Sequence, residues 1–474
     1  MTSQDNSQVN PPFGMEILPT DFQDSEIVSD PLYGMVSISP FEKRILNSRE
    51  FQRLRNIKQL GFAHLVYAGA EHSRFVHSIG VCHQSKRIVD RINRNLRSEP
   101  RYAQYRLFGF YDERRKAEFQ KDNLPLISPH ERVVIAAAAL VHDIPHAAFS
   151  HEIEGVPKIS RDGIPIDHVV PKHDDADKNP ALFMYLFHPT SQLAQVIKVF
   201  NRSFFNSLRT YYTDLKTRNR NEILKQLDVP FLDLLESNVT EDGYVKIARK
   251  QEQESDSILY AAPDECLDEF KISGYDDVYG LPILGVMIFE IHLFEKQKDY
   301  ILEANERARL LDDKNGSAKK VLVSWDDGRL IKSWKPLKGW FRAFRKDIIG
   351  NTICADLIDY VNRDGYHTGI VSEIDLKFLD RMLIAREIMP QDNSKREVNG
   401  ALPASRFAYE QIPAYCEHVA FDVFDHKRGC LRQSVFTEIL SYLQARYLLC
   451  ERVYTHRVVE GARAMLQALI GILV

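Results

Sequence analysis

Residues 131–144, ERVVIAAAALVHDI, constrain the fold more than any other stretch. A helix built from them is apolar on nearly all sides, so it has to run through the centre of the molecule. Pro145 then breaks it. The run finishes on His142 and Asp143, and such a couple at the end of a buried helix is costly to desolvate unless it is paired or coordinated. The groups that answer this couple carry the functional reading.

Helical patterning holds on both sides of it. FEKRILNSREFQRLRNIKQLG sets Phe41, Ile45, Phe51, Leu54, Ile57 and Leu60 mostly three and four residues apart, and Gly61 supplies a stop. HSRFVHSIGVCHQSKRIVDRINRNL repeats the pattern, which returns in NTICADLIDYVNRDG and in the last segment from Gln433. The expected fold is mainly α: a helical core, a charged and partly β insertion, and a C-terminal helical region. The divisions fall as a flexible tail 1–28, a first part of the core 29–205, an insertion or subdomain 206–345, and a completion of the core with C-terminal helices 346–474. KTRNRNEILKQ, RKQEQESDS and ANERARLLDDKNGSAKK mark the insertion, and VLVSWDDGRLIKSW reads as a strand pair around Asp327-Gly328. The apolar terminus AMLQALIGILV is too short to cross a bilayer and reads as the buried end of a helix.

Charge and cysteine usage narrow the class. A net charge of −4 gives non-specific nucleic-acid binding no support, so an anionic ligand must be met by local cations or a metal. Six cysteines without a CxxC pair point to free thiols in a reducing, cytoplasmic compartment. MTSQDNSQVNPPFG has no basic region followed by an apolar one, so it is not a secretory signal, and no membrane partner is expected. Trp325, Trp334 and Trp340 are interleaved with Lys332, Lys335, Lys338, Arg342, Arg345 and Lys346. That mixture suits single-stranded nucleic acid, but a packed subdomain or subunit contact with snorkelling cations is favoured for an acidic chain.

Three segments bear ligand-type residues. AALVHDIPHAAFSHEIE carries His142, Asp143, His146, His151 and Glu154; HSRFVHSIGV carries His77 beside Arg74; and ADLIDYVNRDGYHTG puts Asp356, Tyr360 and Asp364 on one helix face at four-residue steps. Taken singly, His77 is an ordinary core histidine and Asp356 an ordinary first-turn carboxylate. Taken together, three helices supply His77, His142, Asp143 and Asp356 to one divalent cation, and a set of two imidazoles and two carboxylates suits Mn, Fe, Mg, Co or Zn.

The order H…HD…D resembles the HD-domain metal phosphohydrolases. REFQRLRNIKQLG, SRFVHSIGV, LVHDIPHAAFSHEIE and ADLIDYVNRDGYHTGI together resemble the deoxynucleoside triphosphate triphosphohydrolases, over residues 30–175 and 350–370 and more weakly over 440–460. The resemblance implies hydrolysis of a deoxynucleoside triphosphate to deoxynucleoside and intact triphosphate by metal-activated water attacking the α-phosphorus. It implies His151 as the general acid oriented by Glu154, with His173 completing the relay, since histidine ordinarily titrates near neutral pH. His146 falls near the phosphates or the sugar, Arg74 at a phosphate oxygen, and Arg446, Tyr454 and Arg457 on one C-terminal helix face that closes on triphosphate and base. Gln59 and Leu60 pack on the deoxyribose, Tyr360 lies under it, and Asp364 bonds the 3′-hydroxyl. A close wall at the 2′ carbon then rejects ribonucleotides by clash and stranded polar groups.

The chain departs from that pattern in places. A phosphate-contacting Lys of the vertebrate members is Leu357 here, and a His on the C-terminal helix is Cys450. An activating-nucleotide site is matched by Gln52 and Arg55, with Asn47 where an Asp would stand, so a nucleotide activator is an open expectation. The resemblance further implies a homo-oligomer, tetramer or hexamer. Beside this reading stand an HD phosphodiesterase or nucleotidase acting on another nucleotide, and a non-catalytic nucleotide sensor.

Overall fold

The computed structural model of the protein describes residues 15–98, 127–154, 156–159, 165–168, 181–217, 235–249, 260–262, 270–272, 279–292, 333–334, 344–371, 376–388, 415–425 and 428–473. Among them the fold is mainly α, as its sequence implies, with short strand pairings at the margins. His173 and the turn Asp327-Gly328 lie outside the described residues.

A hairpin of β1 (Glu26–Asp30) and β2 (Gly34–Ile38) leads into α1 (Pro40–Leu46). Ser39 starts that helix with a capping box: its hydroxyl accepts from Glu42 N, and the Glu42 carboxylate accepts from Ser39 N at 2.9 Å. The expected run from Phe41 to Leu60 is not one helix. Ser48 donates to Ile45 O at 2.7 Å and caps α2 (Arg49–Gln52), which tightens into a 3-10 turn over Arg53–Asn56. A serine that satisfies orphan groups on both sides divides a periodic run without disturbing its apolar spacing.

α3 (Arg74–Ser98) and α4 (Pro129–Val141) form the centre. α4 opens on a second capping box, Ser128 with Glu131, and every residue from Pro129 to Val141 is buried, as its composition demands. It meets α3 along its length, with α5 (Ala181–Phe187) and α6 (Gln192–Thr217) following, and α7 (Ile283–His292) packs on both α4 and α6. The alanines at 136–139 let these neighbours approach closely. α8 (Phe344–Ile349) touches α4, where Arg345 donates through Nε to Glu131 at 3.1 Å with both groups buried. α9 (Ala355–Thr368) lies across the start of α3.

The β content lies where a partly β insertion was expected, and also beyond it. β3 (Pro157–Ile159) pairs with β4 (Pro165–His168), and β5 (Tyr244–Arg249), β6 (Tyr260–Ala262), β7 (Tyr279–Pro282) and β8 (Ser333–Trp334) form a sheet in the order β7-β5-β6-β8. β9 (Met382–Ile388) pairs with β10 (Tyr415–Phe421) in antiparallel register.

The chain closes with α10 (Gln433–Leu449), a π-helical turn over Cys450–Tyr454, and α11 (Arg457–Leu473). The terminus is helical, but it is not buried: Met465 is 76% and Leu469 54% exposed. Val459 of α11 is buried and Arg463 and Gln467 bond Glu152, Leu466 and Ile470 are half-buried, and Val458, Met465 and Leu469 face outward. Among the described residues no helix is long and apolar enough to cross a membrane.

Candidate active site

Three helix ends converge on one point. His77 stands in the first turn of α3, His142 caps the C-terminus of α4 with Asp143 next in the chain, and Asp356 is the second residue of α9. His77 Nε2 is 3.0 Å from Asp356 Oδ1 and 3.6 Å from Asp143 Oδ2. His142 Nε2 is 3.4 Å from Asp143 Oδ1 and 3.8 Å from Asp356 Oδ1. Ligand atoms of His77, His142 and Asp356 all lie within 4.8 Å of one another.

The second nitrogen of each ring fixes its tautomer. His142 Nδ1 lies 2.7 Å from Ala139 O, a group that only accepts, so Nδ1 carries the hydrogen and Nε2 keeps its lone pair. That Nε2 is buried and has no hydrogen-bond partner, as suits an atom reserved for a cation. His77 Nδ1 donates to Asp359 at 2.8 Å, the carboxylate–histidine support that orients metal ligands. Burial by itself would lower the His77 pKa, but Asp356, Asp359 and Asp143 raise it to about 10. Asp143 is held well below the usual carboxylate range: burial opposes this, and Arg74, His142 and His146 outweigh it. A carboxylate field strong enough to hold a proton on a buried imidazole also favours a dication in its place. The residues present fit a divalent metal.

Asp359 escapes sequence reasoning, although ADLIDYVNR contains a signal: an acid three residues after Asp356 with Arg363 four further on. Arg363 grips Asp359 through Nε and Nη2 at 2.8 and 2.9 Å and reaches Asp30 at 3.0 Å. Gly80, one turn beyond His77, makes room for this pair. A Cβ there would sit 1.8 Å from Asp359 Oδ1 and 2.5 Å from Arg363 Nη2. The change Gly80→Ala should therefore destabilise the protein by at least about 1–3 kcal/mol, read as a lowered midpoint of thermal unfolding; an unchanged midpoint would contradict the tight α3–α9 crossing.

Past His142 the backbone turns sharply. Phe149 and Ser150 take φ of +66° and +58°, a left-handed conformation that costs non-glycine residues energy and gathers at functional sites. Neighbouring groups hold this loop. Arg53 donates through Nη1 to His146 O at 2.6 Å and through Nη2 to Ile144 O. Arg74, expected at a phosphate, is buried and donates to Asp143 at 2.6 Å and to Ser150 Oγ through Nε at 2.9 Å. Arg463 and Gln467 of α11 bond Glu152.

The loop brings its histidines together. His151 Nδ1 is 2.8 Å and His146 Nδ1 3.2 Å from the two oxygens of Glu154, while His146 Nε2 is 3.4 Å from Asp143 Oδ1. A continuous line runs Asp143, His146, Glu154, His151, from the metal ligands to an exposed imidazole whose side chain is 57% accessible. Burial and Arg74 push the His146 pKa down to about 4, so that ring is neutral at pH 7.

The groups assigned to the sugar sit beside the same helix end. Asp364 is buried, with Oδ1 2.8 Å from His72 Nε2 and Oδ2 accepting from Tyr454 OH at 2.7 Å. His72 was not anticipated; its ring stacks on His367 at 4.3 Å between centroids. Tyr360 meets Tyr454 at 6.4 Å between rings. Burial raises the Tyr360 pKa against the opposing charge of Arg446. Leu60 is buried, and Gln59 Oε1 is buried without a hydrogen-bond partner.

Arg446, Tyr454 and Arg457 are not carried by one uninterrupted helix, because a π-helical turn with an i→i+5 step, Thr455 N to Cys450 O at 3.1 Å, separates α10 from α11. Arg446 stays near Tyr360, Tyr454 turns in to Asp364, and Arg457 is exposed at the start of α11. Of the residues matched to an activator site, Arg55 donates to Gln52 Oε1 at 2.8 Å, and Gln52 donates to the carbonyl of Leu46 at 2.6 Å, next to the exposed Asn47. Leu357 is buried and Cys450 exposed.

No protein-family model matches the chain. Individual proteins do match part of it. Over 132 residues it is 33% identical to an HD domain-containing protein of Acanthamoeba polyphaga mimivirus, a stretch that is 28% of this chain and 26% of that one. Over 130 residues it is 32% identical to the deoxynucleoside triphosphate triphosphohydrolase of Bos taurus, 27% of this chain and 18% of the other. Over 136 residues it is 35% identical to an uncharacterized protein of Bacillus subtilis, 28% of this chain and 24% of the relative. The similarity thus spans about a quarter or less of the length of these relatives. Among the homologues of this chain are HD-domain proteins and deoxynucleoside triphosphate triphosphohydrolases.

Proposed function

We propose that this homologue of HD-domain proteins is a metal-dependent hydrolase that cleaves deoxynucleoside triphosphates to deoxynucleoside and inorganic triphosphate. The observation that carries the reading is the meeting of His77, His142, Asp143 and Asp356 at one point, joined through His146 and Glu154 to an exposed His151. A divalent cation bound there supplies a more acidic coordinated water and neutralises phosphate charge.

The chain's own residues do the rest. Asp359 and Ala139 O hold hydrogens on the Nδ1 atoms of His77 and His142, so Nε2 of His142 is a free lone-pair donor and Nε2 of His77 becomes one when a cation displaces its second proton. Glu154 aims His151 so that its imidazole hands a proton to the departing 5′-oxygen, and His173 adds to that relay. Gln59, Leu60, Tyr360 and Asp364 line the deoxyribose, with Tyr454 and His72 fixing the Asp364 carboxylate. Arg446 and Arg457 offer exposed charge to the phosphates. Activation at Asn47, Gln52 and Arg55, and self-association into a tetramer or hexamer, belong to the same proposal.

Product analysis tests it. The full chain, loaded with Mn²⁺ and given each of the four deoxynucleoside triphosphates, should release intact triphosphate and a nucleoside. Release of only pyrophosphate or orthophosphate would place the cut elsewhere and overturn the reading. Equal turnover of ribonucleotides would remove the sugar wall and favour a different HD nucleotidase.

A further inference from the structure

The line from Asp143 to His151 contains a second convergence of metal-type donors. His146, His151 and Glu154 each present a ligand atom within 4.8 Å of the others, apart from the His77–His142–Asp356 group. The geometry is specific. Two imidazole Nδ1 atoms point at the two oxygens of one carboxylate, at 3.2 and 2.8 Å, from rings that stand 4.6 Å apart at 88°. His146 and Glu154 are buried, whereas His151 faces solvent, so the cluster is rigid on its inner side and accessible on its outer side. Two histidines and one glutamate with an open position form a donor set that zinc and its neighbours accept. Magnesium, which requires oxygen ligands, does not suit it.

We propose that His146, His151 and Glu154 form a second, weaker site for a zinc-class dication, and that filling it switches the hydrolase off. The two sites share a wall, since Asp143 Oδ1 lies 3.4 Å from both His142 Nε2 and His146 Nε2. Repulsion between two dications so close makes the second bind less tightly than the first. Ligation through Nδ1 leaves the remaining ring hydrogen of each imidazole on Nε2. In His146 that hydrogen then faces Asp143, which strengthens the link between the sites. In His151 it leaves a neutral ligated ring, which gives up its remaining hydrogen far less readily than an imidazolium does. The loss of turnover rests on the proton-donor role of His151 proposed above; the binding of the ion does not.

The experiment counts Zn²⁺ bound per full chain by elemental analysis after equilibrium dialysis at neutral pH, with the visible absorption of Co²⁺ as a spectroscopic counterpart. Wild type should bind two equivalents, one tight and one weak. His151→Ala, a change at an exposed side chain that leaves the core packing alone, should lose the weak equivalent and keep the tight one; Glu154→Gln should do the same. Asp356→Ala should lose the tight one. With the tight site loaded, turnover should fall as the weak site fills, and Mg²⁺ should not reproduce the fall. Exposed Cys430 and Cys450 are the obvious competitors for Zn²⁺, so a weak equivalent that persists in His151→Ala overturns the proposal, as does a single equivalent in wild type. If His151→Ala retains full turnover, the proton-donor reading fails, and the zinc count still decides the second site.

Discussion

Asp143→Ala is expected to lose bound metal and turnover together. Asp143 is nearly fully buried, and four cationic or ligand-type groups depend on it: Arg74 at 2.6 Å, His142 and His146 each at 3.4 Å, and His77 at 3.6 Å. Alanine would withdraw a ligand and also leave the buried Arg74 guanidinium without its carboxylate. Breaking a buried ion pair from one side costs about 3–5 kcal/mol, so this variant should unfold at lower temperature as well. The two effects need separating. Asp356 is half-buried and pairs with no arginine among the described residues, so Asp356→Ala should empty the same centre with a smaller loss of stability. Metal content and unfolding midpoint, measured on both variants, make the comparison. A folded Asp143→Ala protein that still carries a full equivalent of metal would break the assignment of the centre.

The readable part of this site is the part encoded by local cost. A His–Asp couple at the end of ERVVIAAAALV cannot be buried idle and calls for partners, and the order H…HD…D with its resemblance names His77 and Asp356 as those partners. The buried α4, the long α3 and the α9 face carrying Asp356, Tyr360 and Asp364 follow from periodicity. What stayed hidden is what depends on distance through space rather than along the chain. Nothing in the string pairs Arg53 with the carbonyls at 144 and 146, or Arg463 with Glu152. His72 gains meaning only because Asp364 lies beside it. The break between α10 and α11 has no proline or glycine to announce it, since a π-helical turn in LLCERVYTHRVV needs neither. The exposed apolar residues of α11 defy the expectation of burial because apolar content says that a face needs company, not that this chain supplies it.

His151→Ala should behave in the opposite way to Asp143→Ala: turnover falls and the metal of the His77–His142–Asp356 centre stays. The side chain is largely exposed, so removing it should cost little stability. General acid catalysis is typically worth about 10²–10⁴ in rate, and a loss of that size in kcat with little change in KM is the expected outcome. Glu154→Gln should lose less, because an amide oxygen still accepts from His151 Nδ1 and keeps the ring aimed, through a weaker uncharged bond. A rate loss alone does not distinguish a proton donor from a residue that shapes the loop. The leaving group does. A nitrophenyl ester of triphosphate releases nitrophenolate, a stable anion that needs no proton, so a variant lacking only the acid should hydrolyse it nearly as fast as wild type while remaining slow on the nucleotide. If His151→Ala is equally crippled on both substrates, His151 holds the loop in shape and the proton comes from elsewhere.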